Sequence, residues 1–303
     1  MPSGRGKGTG VLGIIGYPIE HSLSPVMHNA AFDYLGMEYR YLAFSVPPEA
    51  LAEAVAGIRG LGLVGVNVTV PHKEKIIPLL DDLSLEARLI GAVNTVQRRE
   101  NRLIGHNTDG RGFVASLRKR VKRPLRGSSV LILGAGGAAR GVATQLLLEG
   151  VGRLTVTNRT PERAGELAGC LRKVKEDSVC VEIRTVRWAS EGLAQALGET
   201  DFLINATSVG MLPRGDETPL LRTYLEALPK TAVVADLVYN PLRTRLLRES
   251  AEMGLEVVSG LGMLVEQAVL AWEVWFGREA PGKVMQEAAA AHLDCGEAGS
   301  ITP

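Results

Sequence analysis

Cysteine is scarce in this chain of 303 residues, limited to Cys170, Cys180 and Cys295. An odd number with no CxxC spacing excludes a disulfide framework and points to a reducing, cytoplasmic setting. The five histidines, His21, His28, His72, His106 and His292, form no HExxH or Cys/His cluster, so no metal is expected. Aromatic residues make up only 5%. An excess of charge of one sign is also missing: 34 Lys and Arg stand against 33 Asp and Glu. That balance leaves no global field for a nucleic-acid backbone or an anionic membrane, so any anion site must be local. Long apolar runs are absent too. No charge-free stretch exceeds thirteen residues, the length reached by Gly127–Ala139, four of them glycine, against the ~20 apolar residues that span a bilayer. The opening MPSGRGKGTG lacks the apolar run and cleavage site of a secretory signal and reads as a disordered leader. No repeat or low-complexity tract is present.

Apolar residues reach 46% and charged residues 22%, a globular balance. At ~150 residues per domain the length suggests two lobes. Short β-branched runs alternate with helical patterns, as in α/β proteins with parallel sheets. Strands are expected at Val11–Ile15, Tyr39–Val46 and Val64–Val70, with helices near Pro25–Leu35 and Pro48–Arg59. A hairpin follows, with arms Ala92–Arg98 and Leu103–His106 joined across Arg99, Glu100 and Asn101. After the basic stretch Lys119–Gly127, six strands are expected at Val130–Leu133, Arg153–Thr157, Cys180–Thr185, Phe202–Asn205, Ala232–Leu237 and Glu256–Val258, enough for a doubly wound sheet. Two helices, Met263–Phe276 and Gly282–His292, should fold back onto the first lobe, and the tail from Cys295 should fray.

Gly134, Gly136 and Ala139 fit G-x-G-x-x-A between an apolar strand and a helical run. Gly134 permits the tight turn, Gly136 admits a pyrophosphate to the backbone amides, and Ala139 lets the helix pack closely on the sheet. At the end of the next strand an NAD site usually carries an acid for the ribose hydroxyls. Here stand Asn158, Arg159 and Thr160, with Arg163 one turn on, a set that reads as NADP because a 2′-phosphate wants cations and neutral donors. Solvated charges at a helix start are the plainer explanation of those arginines.

Four polar clusters mark the first lobe: Ser22-Leu23-Ser24, Asn67 to Lys73, Gly91 to Thr95, and Asn107 to Gly110. Hydroxyls, amides, one lysine and one carboxylate suit a small polyhydroxylated acid. Ser22 and Ser24 could donate to a substrate carboxylate, or could cap a helix that has Pro25 at its start. Lys73 could project into a cleft or be a solvated strand-end charge, and Asp109 could equally be a helix N-cap.

The ordered set GYPIEHSLSP, NVTVPHK, IGAVNT, NTDG, GAGGAARG, NRT, NATSVGM and GMLVEQA resembles the shikimate dehydrogenase family over roughly residues 10–290. The resemblance implies NADP-linked, reversible reduction of 3-dehydroshikimate to shikimate, on the path to aromatic amino acids. It implies an α/β substrate lobe (11–109 with 262–293) and a Rossmann cofactor lobe (110–261), with a deep cleft between them, a leader at 1–10 and a tail at 294–303. By this likeness Lys73 is the catalytic lysine and Asp109 its partner at the reacting hydroxyl. Ser22 and Ser24 match the carboxylate-binding pair, and Thr69, Asn94, Tyr239 and Gln267 the groups that hold the ring. Gly134, Ala135, Gly136, Gly137 and Ala138 would cradle the pyrophosphate, Asn158, Arg159, Thr160 and Arg163 the phosphorylated ribose, and the main chains of Leu237 and Gly260 the nicotinamide. His72 stands at a position taken as variable.

Ketone reduction needs a hydride from the cofactor and a proton from the protein. A free lysine stays protonated at neutral pH and can supply it; the reverse direction needs the neutral amine and should quicken above neutrality. An NAD-linked quinate/shikimate dehydrogenase is the nearest rival, and a non-catalytic NADP-sensing protein a remote one. The partner is a small molecule, not nucleic acid or membrane. Monomer and homodimer both remain open.

Overall fold

The computed structural model describes residues 9–174 and 181–299, with only the backbone of residues 294–299. The chain divides into two compact units, one running up to Thr108 and resuming at Gln267, the other spanning Asp109–Glu266.

The first unit opens with β1 (Gly10–Gly16), α1 (Ser24–Tyr34), β2 (Tyr39–Ser45), α2 (Leu51–Gly60) and β3 (Gly65–Val68). It continues through β4 (Asp82–Leu83), α3 (Leu85–Ile90), β5 (Thr95–Arg99) and β6 (Arg102–His106). The sheet order is β2-β1-β3-β5-β6-β4, parallel from β2 to β3 and antiparallel from β3 to β6. The strand period of two sends Ile15, Val66, Val68, Val96 and Leu103 to one face, where Leu51, Val55 and Ile58 of α2 and Ala87 of α3 cover them. Tyr41 turns to the other face, where it stacks on His28 of α1.

The expected hairpin forms, tightened to a turn at Glu100 and Asn101, with Glu100 at φ 57°. Its first arm starts at Thr95 because the main chain of Val93 donates to Lys73 and that of Asn94 to His106, while Asn94 accepts from Val68. Neither β4 nor α3 is anticipated by periodicity, since two and six residues are too few to show one. The helix nevertheless has legible ends: Ser84 Oγ accepts from Ala87 N–H, and Gly91 closes it at φ 68°.

The second unit starts with α4 (Asp109–Arg120), β7 (Ser129–Leu133), α5 (Gly137–Leu148), β8 (Arg153–Thr157) and α6 (Pro161–Val174). After the undescribed residues come β9 (Glu182–Thr185), α7 (Glu191–Gly198), β10 (Phe202–Asn205), α8 (Arg222–Leu225), β11 (Val233–Asp236), α9 (Arg245–Glu252) and β12 (Glu256–Val258). Cys180, expected to open the third of these strands, lies outside the described residues. All six strands are parallel in the order β12-β11-β10-β7-β8-β9. The doubly wound sheet that the alternation predicts is therefore present, with its switch point between β7 and β10. Val130, Ile132, Val156 and Ile204 face α5 and α6, whereas Leu131, Leu133, Leu203 and Val234 face α7, α8 and α9. Strands buried on both faces read as continuous apolar runs rather than alternating ones.

Two helices end the chain, α10 (Gly260–Phe276) and α11 (Gly282–Gly299). The start of α10 belongs to the second unit, and Met263 joins its core; from Gln267 on it belongs to the first, where Trp272 is fully buried. There Trp272 packs on Phe32 of α1, and α11 lies against α1. α11 passes the expected stop at His292, because four consecutive alanines, Ala288–Ala291, favour helix and Gly296 is too mild a breaker to end it. The rest of the tail and residues 1–8 of the leader lie outside the described residues. No described helix is long and apolar enough to cross a membrane.

Candidate active site

In the first unit the polar clusters converge on one chain of hydrogen bonds. Ser24 is the first residue of α1 and is buried; its hydroxyl is bonded to the phenol of Tyr41. Tyr41 donates to Asn67 Oδ1 at 2.7 Å, and Asn67 Nδ2 donates to Thr95 Oγ1 at 3.0 Å and to the Asn94 carbonyl at 3.1 Å. Thr95 donates in turn to Asn94 Oδ1 at 2.9 Å. Asn94 Nδ2 donates to Thr108 Oγ1 at 2.9 Å and lies 3.5 Å from Gln267 Oε1, while Thr108 donates to the Gln267 carbonyl at 3.0 Å. Burial pushes the Tyr41 phenol well above its ordinary range, so it remains a neutral, fixed donor.

Neither serine takes the N-cap position itself. Leu23 occupies the N-cap with helical backbone angles and makes no side-chain cap, while Ser22 Oγ accepts from the N–H of Ser24, the first residue of the helix, at 3.3 Å. Thr69 and Lys73 sit on the loop after β3. That loop is tied down by His72 N–H to the Thr69 carbonyl, by Val93 N–H to the Lys73 carbonyl, and by His72 Nε2 donating to the Val46 carbonyl at 2.6 Å. His72 is wholly buried, so its bond to Val46 anchors the residue next to Lys73. Sequence reasoning misses this role, along with Tyr41, Asn67, Thr95 and Thr108 as working members of the polar chain. The motifs NVTVPHK, VNT and NTD contain all but Tyr41, which reads only as one aromatic of a strand.

In the second unit Gly134 leaves β7 at φ 109°, a conformation other residues rarely adopt, and its N–H donates to the Thr157 carbonyl at 2.8 Å. This bond fastens the glycine turn to the end of β8, where Asn158 Nδ2 donates to the Thr160 carbonyl at 2.9 Å. Arg159 and Arg163 are exposed and pair with no carboxylate among the described residues. Gly136 holds the N-cap of α5 without a side-chain cap, and a Cβ there would meet nothing within 4 Å. Beside the turn, the buried Thr157 hydroxyl has no partner. An uncapped helix start, an open glycine position, an orphaned hydroxyl and two unpaired guanidiniums fit a phosphorylated dinucleotide.

Leu237 follows β11, and a Cβ on Gly260 would lie 2.4 Å from its carbonyl oxygen, so only glycine permits this approach of α10. The structure thus brings Leu237 and Gly260 together, and Gly134–Ala138 to the loop at Asn158. Ser22, Ser24, Asn94 and Gln267 gather likewise in the first unit. Asp109, buried at the start of α4, and Tyr239, whose phenol burial pushes up, belong to the second unit. Among the described residues no group of three or more His, Cys, Asp or Glu could hold a metal ion.

Comparison with known proteins carries these features to a family. The model of the "Shikimate dehydrogenase substrate binding domain" matches residues 14–96, that of "Shikimate / quinate 5-dehydrogenase" residues 116–217, and that of the "Shikimate 5'-dehydrogenase C-terminal domain" residues 260–290. The "Shikimate dehydrogenase (NADP(+))" of Symbiobacterium thermophilum is 51% identical over 290 residues, 96% of each chain. The chain belongs to the shikimate dehydrogenase family. Another shikimate dehydrogenase, from Methanopyrus kandleri, is 49% identical over 94% of this chain and 96% of its own. Among solved structures, the shikimate 5-dehydrogenase of Thermus thermophilus, in complex with NADP(H) and shikimate, is 40% identical. It superposes with a TM-score of 0.82 over 93% of this chain and 99% of that one. The first matched stretch falls in the first unit and the second in the second, so the shikimate dehydrogenase likeness extends across both.

Proposed function

We propose that this chain is an NADP-dependent shikimate dehydrogenase, which reversibly reduces 3-dehydroshikimate to shikimate in aromatic amino acid biosynthesis. The observation that carries the reading is 51% identity across 96% of both chains to a relative of that name. A cytoplasmic setting is supported by the scarcity of cysteine, with Cys170 a free thiol.

When bound, the nicotinamide supplies or accepts the hydride; the protein's residues do the rest. Lys73 donates a proton to the oxygen that gains charge as the ketone is reduced, and takes it back in the oxidative direction. The anchored His72 limits the wandering of the Lys73 main chain, so less freedom is lost on reaching the reactive arrangement. Asp109 accepts a hydrogen bond from the reacting hydroxyl. Ser22 and Ser24 donate to the substrate carboxylate, and Thr69, Asn94, Tyr239 and Gln267 hold the ring. The Tyr41–Asn67–Thr95 relay keeps Ser24 and Asn94 oriented before substrate arrives. Gly134 to Ala138 present main-chain amides to the pyrophosphate. Asn158, Arg159, Thr160 and Arg163 take the ribose with its 2′-phosphate, and the main chains of Leu237 and Gly260 face the nicotinamide. Paired serines and unpaired arginines favour shikimate and NADP over quinate and NAD.

The test is product analysis. Purified protein incubated with shikimate and NADP is expected to yield 3-dehydroshikimate and NADPH in equal amounts. Binding of NADP with no product would leave the chain a sensor and refute the reading.

A further inference from the structure

The buried carboxylate of Asp236 has no role in the chemistry above and no cation beside it. It closes β11, 1% exposed, and receives three neutral donors: Val238 N–H at 3.0 Å and Asn205 Nδ2 at 2.9 Å on Oδ1, and the Thr244 hydroxyl at 2.7 Å on Oδ2. Each donor belongs to a different segment. Asn205 closes β10 and also organises the following loop, because its Oδ1 accepts from Thr207 N–H at 3.0 Å and Thr207 Oγ1 at 2.7 Å. Thr244 caps α9, its Oγ1 accepting from Leu247 N–H. Val238 lies in the loop against which Gly260 of α10 is packed, and Gly260 N–H donates to the Val238 carbonyl at 3.3 Å. The loop after β10 reaches the glycine turn as well: a Cβ on Gly134 would lie 3.0 Å from the Ala206 carbonyl oxygen. One carboxylate therefore ties together the strand ends on the β10 side of the switch point, which is where doubly wound sheets bind their ligands.

We propose that Asp236 is a positioning residue whose ionised carboxylate clasps these strand ends in the shape that receives the dinucleotide. The proposal rests on the dinucleotide reading of the second unit. Burial pushes the carboxyl up to about 6, opposed by the bonds from Thr244, Val238 and Asn205. The ionisable side chains on the neighbouring elements are Arg214, Asp216 and Glu217 of the loop after β10, Tyr239 and Arg243 of the loop after β11, Arg245, Arg248, Glu249 and Glu252 of α9, and Glu256 of β12. None contributes a charge interaction to Asp236. Arg245 is held by Glu249 and the Asp216 carbonyl, and Arg248 by the Arg243 carbonyl. Protonation removes the charge that strengthens all three bonds and turns an acceptor oxygen into a donor, so that the Thr244 bond must reverse and the clasp loosens. Acidification through this range should thus weaken cofactor binding by a route independent of the cofactor's own charge.

Calorimetric titration of the full chain with NADP and with NAD between about pH 5 and about pH 8 tests this; NAD is the pH probe, because a 2′-phosphate itself titrates near ~6. The wild type is expected to bind NAD at least threefold more weakly at the acid end. Asp236→Asn should bind both cofactors at least threefold more weakly than the wild type at pH 8, with no acid transition for NAD. Thr244→Val removes a donor to the carboxylate and should move the wild-type transition to higher pH, and Thr244→Ser should restore it, which tests the clasp even if Asp236→Asn fails to fold. Wild-type affinity in Asp236→Asn, or a transition that Thr244→Val leaves in place, would overturn the proposal while the cofactor reading stood. Failure of the wild type to bind NADP at any pH would overturn both.

Discussion

His28 lies fully buried in the first unit with neither ring nitrogen hydrogen-bonded, stacked on Tyr41 at 4.3 Å between ring centres. Burial lowers its titration from 6.5 to about 3, so the folded state keeps it neutral while the unfolded chain gains a proton near 6.5. Between those values the unfolded state binds the extra proton, and stability is lost as pH falls, by up to ~1.4 kcal/mol per pH unit. His28→Phe removes this term. Relative to wild type, the melting temperature of the variant should rise on going from about pH 7.5 to about pH 5; a constant difference would show that the imidazole titrates normally. In the mechanism proposed above Lys73 is the opposite case, a basic side chain kept for chemistry. Lys73→Ala should lower kcat by ~10²- to 10⁴-fold with little change in the shikimate KM, because the proton is needed chiefly in the transition state. A raised KM with near-normal kcat would make Lys73 an anchor. Sequence motifs expose Lys73, but nothing in them separates His28 from an ordinary surface histidine, since its environment comes from β2 and α10.

At the scale of elements, most helices and strands are visible in the sequence because their apolar periods are long enough to detect. The two-residue β4 is not, and the polar chain from Ser24 through Tyr41, Asn67 and Asn94 to Gln267 draws on elements far apart in sequence. The start of α1 illustrates the limit. Ser-x-Ser-Pro allows a cap or a carboxylate site; Leu23 takes the N-cap position, and Ser22 Oγ bonds only the Ser24 N–H at the helix start. On the proposed carboxylate role, Ser22→Ala should raise the shikimate KM, losing a charge-assisted bond of roughly 1.5 to 3 kcal/mol, with little change in melting temperature. A lower melting temperature with normal KM would reinstate the cap. The loop between β8 and α6 makes a second case. Asn158→Asp with Arg159→Ala adds a carboxylate that repels a 2′-phosphate and accepts from the free hydroxyl of NAD. The double variant should lose or invert the NADP preference with the shikimate KM nearly unchanged; a preserved preference would place the phosphate elsewhere.

For the whole molecule, the alternation of strands and helices reveals two α/β units, and among the described residues no helix is long and apolar enough to cross a membrane. Sheet order is less accessible: the mixed first sheet depends on one hairpin and on a strand too short to detect. Function is legible because eight short motifs stand in the order of one family, and the glycine turn, the arginine-bearing loop and the serine pair each have a physical reason that agrees with it. The site as proposed selects one acid and one cofactor. It is tested most directly by steady-state kcat/KM values for shikimate and for quinate, each with NADP and with NAD. The expected result is turnover of shikimate with NADP at least tenfold more efficient than with NAD, a gap of about 1.4 kcal/mol or more, and a clear preference for shikimate over quinate. Equal or better turnover of quinate with NAD would contradict it.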